Sequence, residues 1–96
     1  LVASLSSCHM LWYLHLCAQA KVTVLAYHDD AAGTMVEDAG GGGRFTQAVL
    51  RPVATIAAGG DAALATALHE EAHRLCFIAN SVNFPVTIEP TVLVAG

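Results

Sequence analysis

Apolar side chains crowd the first twenty positions, LVASLSSCHMLWYLHLCAQA, with neither glycine nor proline among them. The stretch predicts one continuous helix over residues 1–19, apolar around its whole circumference, so that other elements pack around it and Cys8 is largely buried. The chain enters this pattern with no N-cap and no initiator Met, which leads us to expect a sequence truncated at its N-terminus. The run is about the length of a membrane span. It nevertheless holds Ser4, Ser6, Ser7, His9, His15 and Gln19 and opens without basic residues, which favours a buried helix over a span or a signal peptide.

The pattern then changes period. Residues 22–27 (VTVLAY) have the β-branched and aromatic content of a strand, and HDDAAGT after them has turn chemistry. Four glycines, Gly40 to Gly43, are expected to form a flexible hairpin loop, because no P-loop lysine and no helix start follow them. Residues 45–57 alternate, with Ala48, Leu50, Pro52, Ala54 and Ile56 on one face and Val49, Arg51, Val53 and Thr55 on the other. Pro52 predicts an edge position or a bulge. After Gly59 and Gly60, Asp61 is placed to cap a second helix with Leu64, Leu68 and Leu75 on its apolar side and Glu70 paired with Arg74 outside. That helix runs to about Leu75, continues with or without a break to Asn80, and stops at NFP. Val86, Ile88, Val92 and Val94 make one face of a last strand interrupted by Pro90. Helix, strand, strand, helix, strand is an α+β order with a largely antiparallel sheet, and with no repeat or linker it forms a single domain over residues 1–96.

Composition narrows the partners. Charged residues are 12% of the chain and the mean hydropathy is +0.57, against about a quarter charged in ordinary soluble domains, so part of the surface is expected to lie in an interface. A formal charge of -4 with isolated Lys and Arg offers phosphates no track, so neither nucleic acid nor a membrane is expected as partner. Three cysteines cannot all pair internally, and without a secretory signal they point to a reducing cytoplasm.

Three constellations could carry chemistry. HEEAH, His69 to His73, satisfies H-E-x-x-H, two imidazoles a turn apart with Glu70 between them. A zinc hydrolase also needs a third ligand and an open cleft, so two half-exposed helix histidines are the favoured reading and no metal is expected at His69, Glu70 or His73. Adding Cys76, and Cys8 from the first helix, would give a mixed tetrahedral site that spacing permits without demanding. The third constellation is Cys8 with Cys76. Cys17 reads as a small buried hydrophobe, whereas Cys8, between Ser7 and His9, would become a nucleophile if a neighbour lowered its pKa.

LVASLSSCHMLWYLHLCAQAKV resembles the central helix of the OsmC/Ohr family of thiol-dependent hydroperoxide reductases, and AHRLCFIANSVNFPV resembles the family's second-cysteine segment. The resemblance covers nearly the whole chain as the C-terminal portion of the family fold, a long buried central helix against a sheet. It implies that Cys8 attacks the peroxide and Cys76 resolves it as a disulfide, with an organic hydroperoxide as substrate, an external dithiol as reductant and no cofactor. It also implies a homodimer with shared active sites. The family's activating Arg and Glu precede the helix and are matched by none of Arg44, Arg51 and Arg74; Phe77 stands where the family commonly has Pro. A non-catalytic dimeric module that binds an apolar ligand, with Cys8 merely buried, is the competing reading.

Overall fold

The computed structural model describes residues 2–37 and 43–95. The apolar N-terminal run is one helix, α1 (Val2–Gln19), uninterrupted because it contains no glycine or proline. It ends where Lys21 takes φ 62° and the Val22 amide donates back to the Cys17 carbonyl at 2.8 Å, a closure that usually recruits glycine. Burial falls on one side only, at Leu5, His9, Tyr13 and Cys17, four residues apart and therefore in one line along the helix. The expected all-round burial is thus corrected: Leu11 is 64% exposed and Cys8 is half-buried.

Strands β1 (Val24–Asp29), β2 (Ala32–Glu37), β3 (Gly43–Leu50) and β4 (Pro52–Ile56) follow, then helices α2 (Ala62–Leu75) and α3 (Phe77–Ser81), then β5 (Val86–Ile88) and β6 (Thr91–Val94). They form two three-stranded sheets, ordered β1-β4-β6 and β2-β3-β5. Each long segment of the chain contributes a strand to both, so three segments break along one line: at Asp30 and Ala31, at Arg51, and at Glu89 and Pro90. Side chains lock this crease. Asp29 Oδ1 accepts from the Arg51 amide at 2.9 Å, Asp29 Oδ2 accepts from Ser6 Oγ of α1 at 2.5 Å, and Arg51 Nε donates to Glu89 Oε1 at 3.0 Å.

The alternation in residues 45–57 is confirmed, since Ala48, Leu50, Pro52, Ala54 and Ile56 are all buried under the helices. Pro52 is at neither an edge nor a bulge. It opens β4, the middle strand of its sheet, where the crease removes the need for a ladder donor. Much of the expected turn after β1 is the strand β2; its Ala32, Gly33 and Thr34 pair with Val49, Ala48 and Gln47. Gly33 lies under the start of α1, and a Cβ there would come within 2.7 Å of Val2 Cγ2, so the small residue sets this approach. The glycine loop falls outside the described residues except for Gly43, which pairs with Glu37.

β1–β4 and β2–β3 are antiparallel as expected, but the last segment runs parallel, β5 along β3 and β6 along β4. The helical crossover through α2 returns the chain in the same direction, which a hairpin could not do. The core has two parts. Tyr13, Cys17, Ala54 and Ala72 pack on the first sheet, and Leu5, Ala48 and Leu50 on the second, with α1 spanning both. No described helix is long and apolar enough to cross a membrane.

Candidate active site

α2 begins at Asp61, whose carboxylate accepts from the Leu64 amide at 3.1 Å, the cap expected from sequence. Its buried stripe is Ala65, His69 and Ala72, with Leu64 38% exposed, so the leucines do not define the packed face. Small residues let α2 come close to α1, and each helix then presents one histidine to the other. His69, expected half-exposed, is fully buried: its Nδ1 lies 2.9 Å from His9 Nε2, and its ring stacks on Tyr13 with centroids 3.7 Å apart. Burial holds both imidazoles neutral, His9 down at about 4 and His69 at about 3. Tyr13 donates through its hydroxyl to the Ala65 carbonyl at 3.1 Å and completes the contact. The expected Glu70–Arg74 pair is replaced by Glu71–Arg74, one turn apart on the solvent side.

α2 stops at Cys76, whose φ of -64° and ψ of 116° leave the helical region, and α3 starts at the next residue. The break turns the first amides of α3 toward α1. The result is the chemistry of Cys8. Its sulfur loses hydration by burial, which pushes the thiol up, yet the neighbouring Cys76 thiol and the Ile78 and Phe77 backbone N–H groups favour its ionised form, and the balance lies below the ordinary value. Cys76, 1% exposed, is pushed up by burial and by its role as donor to Cys8. Burial also raises Cys17, which packs in the core beneath Tyr13 and Leu16. Of the three thiols, Cys8 alone is held below its ordinary value.

Cys8 opens into a groove of about 440 Å³ lined by Leu11, Trp12, His15, Phe77 and Ile78. Trp12 meets Phe77 edge-on at 5.6 Å and His15 at 5.9 Å, so the groove is walled by aromatic rings held against one another. An apolar molecule with one reactive end fits this arrangement, the reactive end at the sulfur.

Cys8 and Cys76, 68 positions apart in sequence, are thus brought into contact by the α1–α2 packing. The alternative sets come apart: His69 is engaged with His9, and among the described residues no three His, Cys, Asp or Glu side chains are grouped to hold a metal ion. Sequence reasoning missed the α3 amides, which have no side-chain signature, and the His9–His69 pair. The pair had a faint one, since His9 and His69 each stand in a line of residues three or four apart that includes a cysteine.

No curated protein matches this sequence. Among solved structures, the chain resembles an OsmC-like protein of unknown function from Vibrio cholerae at 37% identity and a TM-score of 0.82, covering 93% of this chain and 59% of that one. An organic hydroperoxide resistance protein from Elizabethkingia anophelis is 20% identical with a TM-score of 0.69, over 98% of this chain and 64% of that one. An OsmC-like protein from Mycoplasma pneumoniae, 9% identical, shares the fold with a TM-score of 0.76, over 95% of this chain and 67% of that one. The chain therefore spans less than two thirds of the length of the first two. The family model of OsmC-like proteins matches residues 1–91, and with that match across nearly its whole length the chain belongs to the OsmC-like family.

Proposed function

We propose that the complete protein is a thiol-dependent peroxidase that reduces organic hydroperoxides through Cys8 and Cys76. The observation that carries this reading is the ionisable Cys8 sulfur at the floor of an apolar groove, in contact with a second thiol. Its resemblance to a hydroperoxide resistance protein agrees with it. The Cys8 thiolate attacks the outer peroxide oxygen, the O–O bond breaks, the alcohol leaves with a proton, and Cys8 becomes a sulfenic acid. Cys76 then attacks that sulfur, water leaves, and a disulfide forms; an external dithiol reduces it and is itself oxidised. The raised Cys76 is the donor in the first step and the nucleophile in the second, when the Cys8 thiolate no longer holds its proton in place.

The protein is proposed to work as a homodimer in the cytoplasm. Its described shape, 54 × 23 × 16 Å, is elongated for its length, and Leu11 and Phe77 are left open at the groove. The test is made on the complete protein with an alkyl hydroperoxide. Peroxide should convert Cys8 and Cys76 into one disulfide, Cys76→Ser should hold Cys8 as sulfenic acid, and Cys17→Ser should turn over normally. Undiminished peroxide consumption by Cys8→Ser would end the proposal.

A further inference from the structure

We infer that the reduced Cys8–Cys76 pair is also a capture site for monosubstituted arsenic(III) compounds, aryl ones in preference to methyl. Arsenic of the type R–As=O bonds two sulfurs at once, and it needs one thiolate it can reach and a second thiol already in contact with the first. Cys8 is the reachable one, half-buried in the groove beside Phe77 and Ile78, and Cys76, next to Phe77 in the chain, is the neighbouring thiol, 1% exposed. The third substituent on arsenic must then point away from Cys76, into the groove, where Leu11, Trp12, Phe77 and Ile78 offer an apolar wall and neither a carboxylate nor a Lys or Arg lines it. A phenyl ring buries itself there; a methyl group does not fill the space. Cys17 has no such neighbour thiol and lies in the core on the other side of α1.

The chemistry balances without a change in oxidation state. The Cys8 S–H adds across the As–O bond to give R–As(OH)–S. The Cys76 sulfur then displaces the hydroxyl group, which leaves as water with the Cys76 proton, and arsenic ends bonded to R and both sulfurs. The ring so closed is the source of selectivity, because a single external thiol must break one bond while the other sulfur is held ready to re-form it.

The experiment uses the reduced complete protein and phenylarsine oxide, followed by intact mass. One arsenical per chain should be retained in excess glutathione and released by ethanedithiol. From Cys8→Ser or Cys76→Ser, glutathione should strip it at least about tenfold faster, since the effective concentration of the second thiol is gone. Cys17→Ser should behave as the parent. Methylarsine oxide should leave the parent about tenfold faster than the phenyl compound, and Phe77→Ala should narrow that gap, as expected for loss of apolar contact area. Release by glutathione equally fast from the parent and from Cys76→Ser would overturn the capture site, and equal retention of methyl and phenyl compounds would overturn the assignment of the groove. Neither outcome depends on peroxide turnover, so the two readings fail separately.

Discussion

Replacing Phe77 by proline should subtract one hydrogen-bond donor from the Cys8 sulfur and disturb little else. Phe77 is the first residue of α3, a position where proline is favoured because its N–H is not used by the helix. Cys76 before it already has the extended backbone that a residue preceding proline adopts. Phe77→Ala is the matched control, since it removes the same 68% exposed ring and keeps the N–H. A hydrogen bond to an ionised acceptor contributes about 1.5–3 kcal/mol, and the lower end applies to a half-exposed sulfur. At about 1.4 kcal/mol per factor of ten, the proline variant holds about tenfold less thiolate wherever both thiols are mostly protonated. The remaining thiolate is more basic and hence more nucleophilic, which returns about threefold. Alkylation of Cys8 by iodoacetamide should therefore be about threefold slower in Phe77→Pro than in Phe77→Ala on the acidic limb, where both thiols are mostly protonated, and about threefold faster once both are fully ionised. The two pH–rate curves must cross. Superimposable curves would refute the claim that the Phe77 amide reaches the sulfur.

The buried His9–His69 pair makes stability acid-sensitive. Both groups sit below their ordinary 6.5 in the folded chain, at about 4 and about 3, so the unfolded chain takes up protons first as pH falls. Stability should be full above pH 6.5 and decline toward pH 4 by on the order of 3 kcal/mol for each histidine, read from urea midpoints across pH; a flat profile over that window would contradict the pairing. At the end of α1, Lys21→Gly should raise stability by about 0.5–1 kcal/mol, because glycine takes the positive φ without steric cost but gives back some chain entropy. A lower thermal midpoint for this variant would show that Lys21 makes a contact that outweighs its backbone.

The elements with strong periodicity were legible in the sequence. Ala48 to Ile56 named their buried face residue by residue, and Asp61 named the start of α2. The β2 segment was not, since Ala32, Gly33 and Thr34 are the small residues of turns, and their pairing with β3 is decided by partners rather than by propensity. The direction of β5 and β6 was invisible for another reason: side-chain alternation fixes which face is buried but is the same for parallel and antiparallel neighbours. In the candidate site, the resemblance implied a Cys8–Cys76 pair, and the fold places the two thiols next to each other. What lowers the Cys8 thiol was readable only in part: the Cys76 side chain is a residue type, but the Ile78 and Phe77 amides are placed by the break at Cys76, and residue types carry no record of where a main-chain N–H points.

Bending of the three strand segments along one line gives α1 a mechanical task. The helix is a splint across a fold line: Leu5 is pinned to one sheet, and Tyr13 and Cys17 to the other. About 12 Å of helix axis separates Leu5 from Tyr13, with Cys8 between them. When the two sheets flex against each other, such a splint moves most at its ends and least near its fulcrum. The fulcrum is where Ser6 is fastened to Asp29, two residues before Cys8. Cys8 is thereby carried on the stretch of α1 that is anchored to both sheets and to the crease between them.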